Sequence, residues 1–183
     1  MLFLSVGILS AAALAAPSAG GTGLTADDPM VVPEEALTIS GTILKGISQD
    51  WLDENKPQDG NTFYLKLVIS GSITELGDDY GGFRLGTGYS LQVDFSAAKN
   101  LTKINNQAFM KATALHGVLD LSQTKITTLG KSAFRDCTGL TGVVLPKTLK
   151  VLGDSSDGSG SVFSGCKGLQ FVRTAGGDEN AVF

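Results

Sequence analysis

His116 is the only histidine among the 183 residues. Neither a Ser-His-Asp triad nor a histidine-rich metal site has enough to draw on. Placed just before a β-branched run, His116 is expected to be a solvated loop residue. The two cysteines, Cys137 and Cys166, are too few to complete a metal site with one distant imidazole. Between Asp154 and Gly160, Asp and Ser oxygens alternate in a way that suggests calcium. A helix-loop-helix calcium loop needs oxygens at its first, third and fifth positions, just before a Gly. Asp157 directly precedes Gly158, but Asp154 is out of step, so an acidic surface insertion is expected instead. Glycine pairs such as Gly81-Gly82 lack the strand-then-helix context of a dinucleotide site, and no phosphate-cradling loop with its Lys exists. Leu145-Pro146-Lys147-Thr148 opens like a cell-wall sorting signal, but Leu149 follows where Gly is required. A strand end closed by Pro explains it better. No cofactor is expected.

One pair of carboxylates remains. Val93-Asp94-Phe95-Ser96 resembles Leu119-Asp120-Leu121-Ser122, so Asp94 and Asp120 take matching places on successive strands. Two such groups at the right separation could cleave a glycosidic bond. Their outward neighbours, Gln92, Ser96 and Ser122, imply a polar strand face rather than a cleft.

The elements that carry these residues are repeats. Ile104-Asn-Asn-Gln-Ala108-Phe109 recurs as Leu129-Gly-Lys-Ser-Ala133-Phe134, 25 residues on. The same offset carries Ala112 onto Cys137 and Leu115 onto Leu140. Phe163, Cys166 and Leu169 follow at 29 residues, and the surplus lies in the loop-like 154–160. Self-similarity at such a period is the mark of a solenoid, in which one turn cannot bury its own apolar side chains. The strands Val118 to Ser122 and Gly142 to Leu145 should pair in parallel on one face. Phe109, Phe134 and Phe163 should stack on the opposite side under short helical turns, each contributing ~2–3 kcal/mol of transfer free energy. Ala112 fills the slot of the two cysteines, which favours compact buried thiols over a disulfide.

The common pattern, Leu-x-x-Ile/Leu-x-x-x-Ala/Val-Phe-x-x-Cys/Ala-x-x-Leu, resembles the BspA-like family of bacterial leucine-rich repeats. Its closest copy runs from Ile126 through Leu129, Ala133, Phe134, Cys137 and Leu140 to Leu145-Pro146. The resemblance covers about Leu91 to Thr174. It implies a leucine-rich-repeat solenoid with short parallel strands on one face, short helical turns and loops opposite, and an irregular β-rich N-terminal cap. It also implies a non-enzymatic surface or secreted protein of host-associated bacteria, some relatives being implicated in adhesion.

Upstream the pattern degrades. Ile73, Leu76 and Phe83 fit an aberrant turn of the same coil. Leu37 to Ile43 and Phe63 to Ile69 read as strands, with a helical turn at Trp51 to Asn55. Leu2 to Ala16 is an apolar run ending in small residues, and no Lys or Arg precedes Lys45. The run reads as a secretory signal peptide, although the usual leading positive charge is absent. About 15 residues is short for a bilayer, which takes ~20. The organisation expected is a signal peptide over 1–19 and a disordered linker over 20–35. A cap with a degenerate repeat over 36–90, the repeats over 91–174 and a disordered tail over 175–183 follow.

A total of 24 glycines, nearly double the usual share, fits short strands and frequent bends. The net charge of −4 argues against nucleic acid, which needs clustered Lys and Arg. With no integral membrane segment after signal cleavage, the expected location is extracellular or cell-surface, with the periplasm as the alternative. Alternation along the strands turns Gln92, Asp94, Asp120, Val144, Phe171 and Arg173 outward to meet a protein ligand, a host surface or matrix protein if the resemblance extends so far. Phe171 and Arg173 are the residue types that carry binding energy. Two other readings stand beside this one: a secreted carbohydrate-active enzyme using Asp94 and Asp120, and a structural fragment of a longer array.

Overall fold

A computed structural model describes residues 21–78, 82–153 and 161–176. The proposed signal peptide, the acidic insertion 154–160 and residues 177–183 of the tail lie outside the described residues. The chain winds as a β-solenoid with little helix. In chain order its elements are β1 (Met30–Val31), β2 (Leu37–Ser40), β3 (Ile43–Ile47), α1 (Gln49–Asn55), β4 (Phe63–Val68), β5 (Glu75–Leu76), β6 (Tyr89–Asp94), β7 (Lys103–Ile104), β8 (Gly117–Asp120), β9 (Thr128–Leu129), β10 (Leu140–Leu145), β11 (Val151–Leu152) and β12 (Phe171–Thr174).

Each coil contributes one longer strand, one two-residue strand and, between the short strand and the next long one, a turn holding the aromatic residue. The longer strands lie in two parallel sheets, β4-β6 with the two-residue β1 on its edge, and β8-β10-β12. The two-residue strands β5, β7, β9 and β11 line up in one parallel ladder, which continues through β3 and ends in the antiparallel β2–β3 hairpin. Leu76, Ile104 and Leu129, the inward residues of the short strands, are fully buried; Leu91, Leu119 and Val143 meet them from the longer ones. Alternation explains the pattern. Gln92, Val118 and Asp120 stand between those inward residues and point the other way.

The aromatic column is present and longer than the clear repeats. Ring centroids of Phe109 and Phe134 are 5.1 Å apart, and those of Phe134 and Phe163 are 5.6 Å apart, with planes inclined by 13° and 12°. Phe83 extends the column at 4.5 Å from Phe109, so the aberrant turn is a coil of the same kind. These near-parallel, short-spaced rings match the stacked geometry that aromatic pairs favour. The turns around them are not helical. Gln107, Lys111, Ser132 and Asp136 hold positive φ of 56°, 62°, 54° and 60°, and helices of L-residues do not pass through that region. Hydrogen bonds instead run from coil to coil, Gln107, Phe109 and Lys111 donating to the carbonyls of Lys131, Ala133 and Arg135 at 2.7–2.9 Å. An opposing ladder of hydrogen-bonded turns and two-residue strands replaces the expected helical turns.

On the N-terminal side of the described residues, the β2–β3 hairpin ends the short-strand ladder and β1 ends the sheet of β4 and β6. Ser48 caps α1 by accepting from the Trp51 amide, and Trp51 stacks on Phe63 at 6.2 Å. The linker expected over 20–35 is ordered from Gly21 onward. Met30–Val31 pairs with β4, the Tyr64 amide donates to the Gly23 carbonyl, and Val32 is buried. The apolar run Met30-Val31-Val32 is short enough to vanish in a composition average, yet it covers a strand edge that would otherwise stand unpaired.

Candidate protein-binding surface

Register brings the outward residues of the longer strands into rows. Val118 faces Gly142, and Gly142 faces Phe171; Asp120 faces Val144, and Val144 faces Arg173. In the other sheet Lys66 faces Gln92 and Val68 faces Asp94. Gly142 leaves room for the Phe171 ring, which a Cβ at that position would displace. The Arg173 guanidinium carbon lies 5.5 Å from the centre of that ring. Gln92 and Asp120 are exposed, whereas Asp94, Phe171 and Arg173 are half-buried. Val144 sits on the outer side of its strand but keeps only 8% of its surface exposed.

Two hollows open on this face. One, of about 300 Å³, lies between β6 and β8 and is lined by Lys66, Gln92, Asp94, Val118, Asp120 and Gln123, among others. The other, of about 590 Å³, begins at Asp120 and Gln123 and runs past Val144 and Lys147 to Arg173. All the outward residues expected from alternation except Phe171 therefore border a hollow, and Phe171 covers the floor beside them. Lys66, Gln123, Lys147 and the 52% exposed Val118 were not foreseen. Lys66 belongs to the degenerate upstream coil, and Gln123 and Lys147 lie beyond the strand ends, where alternation gives no guidance. Parity would have named Val118, two residues before Asp120.

The two carboxylates share the first hollow but differ in environment. Asp94 accepts from the Ser96 amide at 2.9 Å and pairs with the Lys66 ammonium at 3.0 Å. The Ser96 amide, the Ser96 hydroxyl and then Lys66 hold its pKa down to about 2. Asp120 makes the same turn with Ser122, its carboxylate accepting from that amide at 2.9 Å. Two-carboxylate glycosidases need one member raised to act as an acid; Asp94 is driven the other way. Because the folded value lies below the unfolded 3.8, the ionised Asp94, held by Ser96 and then Lys66, stabilises the fold above pH ~4, and its contribution fades as the pH falls towards 2. Asp94→Asn should therefore lower stability by about 1 kcal/mol at pH 5, solvent screening having reduced the full shift. At pH 2.5 little difference should remain. Urea midpoints of the two proteins at both pH values check this, and an equal gap at the two would contradict it.

His116 lies in the loop just before β8, as expected, but is half-buried rather than fully solvated. Its amide donates to the Leu91 carbonyl at 3.1 Å, the residue borders a hollow with Gln92, Val93 and Val118, and burial pulls its pKa down. The cysteines are free and buried, each thiol donating at 3.0 Å to the carbonyl of the Phe one coil earlier, Phe109 for Cys137 and Phe134 for Cys166. Contact with Cys166 and burial push the Cys137 thiol well up. Among the described residues no group of three or more His, Cys, Asp or Glu is placed to hold a metal, and no helix is long and apolar enough to cross a membrane.

A family model described as "BspA type Leucine rich repeat region (6 copies)" matches residues 89–176. No curated protein and no solved structure matches the chain.

Proposed function

With residues 89–176 belonging to the BspA-type leucine-rich repeats, we propose that this protein is a secreted or cell-surface binding module whose partners are proteins docking on the outward strand face. Repeats of this family are often found in surface proteins involved in protein interactions, and such solenoids are typically non-enzymatic. The observation that carries the reading is the row Asp120–Val144–Arg173, beside Phe171, along one rigid sheet. Strands locked in register present side chains at fixed spacing and lose little entropy on binding. An aromatic ring beside an arginine that itself borders a hollow has the make-up of a binding hot spot. The apolar run of residues 2–16 supports export, and an adhesive role towards host or neighbouring-cell proteins follows from family resemblance.

The test is an array of purified extracellular-matrix and plasma proteins probed with the folded chain. For any partner found, Arg173→Ala and Phe171→Ala should each weaken binding about thirtyfold, the equivalent of ~2 kcal/mol, without loss of circular-dichroism signal. Unchanged affinity in both variants would remove this face as the binding surface. The carboxylate pair is checked in parallel, since hydrolysis of any polysaccharide that Asp120→Asn abolishes would establish an enzyme instead.

A further inference from the structure

Among the described residues, sheet pairing between the longer strands is interrupted between β6 and β8. β6 is the last strand of one sheet and β8 the first of the next, although they belong to consecutive coils. They are joined at both ends. The Leu91 amide donates to the Ala114 carbonyl at 2.8 Å and the His116 amide to the Leu91 carbonyl at 3.1 Å. Beyond the strands, the Lys125 amide donates to the Leu101 carbonyl at 3.0 Å, and Lys99 Nζ reaches Gln123 Oε1 at 3.1 Å. The cause of the gap is a length mismatch. Phe95 and Leu121 are equivalent, since each is buried and each follows an Asp whose carboxylate accepts from the next Ser amide. From Leu91 to Phe95 is four residues, but from Leu115 to Leu121 is six. The surplus is accommodated around His116-Gly117, where Gly117 takes φ +81°. Held at both ends, the Leu115–Leu121 segment is two residues longer than Leu91–Phe95, and β8 does not pair with β6 along its length.

The mismatch leaves backbone groups of β6 and β8 facing each other without a ladder between them. The Asp94 carbonyl accepts from the Ile69 amide and the Leu121 amide donates to the Val144 carbonyl, so by alternation Val93 faces the gap from one side and Val118 and Asp120 face it from the other. Two hollows of about 300 and 270 Å³, sharing Gln92, Val93 and Val118, follow the gap along its length. Backbone amides and carbonyls beside an accessible gap are what an added strand satisfies. The side chains supply a sign: two carboxylates, Asp94 and Asp120, stand against one ammonium, Lys66. Lys66 is already paired with Asp94, which leaves Asp120 to meet an incoming cation.

We propose that the gap between β6 and β8 is a peptide slot, taking an extended segment that pairs with the free strand edges and sets a Lys or Arg side chain against Asp120. The slot deepens the strand-face reading and rests on it. It would make recognition depend on a flexible, basic stretch of the partner rather than on a folded surface.

The experiment uses soluble nine-residue peptides with a central Lys, Gln or Glu, titrated into the isotope-labelled chain and followed by backbone amide NMR. The Lys peptide should shift the Val93, Val118 and Asp120 amides. Replacing its Lys by Gln should weaken binding about fivefold, as should Asp120→Asn, and Glu should weaken it further. N-methylation of alternate peptide amides should cost about tenfold or more, because it removes donors without changing charge. Deleting His116 and Gly117 should let β8 pair with β6 and abolish binding; the N-methylated peptides decide the matter if that variant does not fold. Shifts confined to Gly142–Arg173 would overturn the slot while leaving strand-face binding intact. A response to chitohexaose but to no peptide would overturn it in favour of a sugar groove. No response to any probe would overturn the slot as well, and the protein array would then judge the strand face independently.

Discussion

Phe134→Ala should destabilise the protein by about 4 kcal/mol, the range for an aromatic residue removed from a packed core. Its ring is fully buried and lies between Phe109 and Phe163, at 5.1 and 5.6 Å. Its removal therefore loosens two inter-coil contacts at once. In a solenoid the stability of the whole is close to a sum of coil and neighbour contributions, and few substitutions can subtract from both sides. Phe163→Ala should cost visibly less, since that ring is only half-buried and is flanked at 5.6 Å on one side by Phe134. Urea unfolding followed by circular dichroism ranks the two variants. Equal losses would mean that the aromatic column is not the spine of the fold.

Gly130→Ala should cost about 3 kcal/mol, at the upper end for overpacking, although its φ is ordinary and Ala is the better residue in most settings. A Cβ at this site would stand 2.5 Å from the Asn106 nitrogen and 2.6 Å from the Asn105 carbonyl carbon. Both are backbone atoms of the preceding coil. The Gly130 amide also donates to the Ile104 carbonyl at 2.8 Å, so neither coil can retreat without breaking the ladder. Gly86→Ala is the control: nothing lies within 4 Å of its added carbon, and the lower entropy of the unfolded chain should leave stability unchanged or up to ~1 kcal/mol higher. Thermal midpoints moving in the same direction in both variants would show that coil contact is not what demands glycine at residue 130.

The repeats were legible because their constraint recurs. Phe109, Phe134 and Phe163 each fill the same place in a column, and a position constrained three times stands out from its neighbours. Phe83 satisfies the same constraint in a coil whose other positions have drifted, so only part of its pattern was readable. What surrounds the rings was less accessible. A two-residue strand such as Thr128–Leu129 has no period of its own, and positive φ at Gln107 or Ser132 leaves no mark in residue type, since glycine is absent there. The outward set followed from alternation alone. The gap beside Val118 did not, for it arises from a difference of two residues between neighbouring coils, visible only once Leu91 is known to pair with Leu115.

The hydrogen bonds of both ladders and of the aromatic turns run from coil to coil, along the length of the solenoid. That direction decides how the molecule bears mechanical load. Force applied by a tether at either terminus falls on the outermost coil first and peels it away before the next is strained, so the bonds yield in sequence instead of resisting together as in a sheared sheet. A protein of this build extends gradually under tension, giving up length one turn at a time.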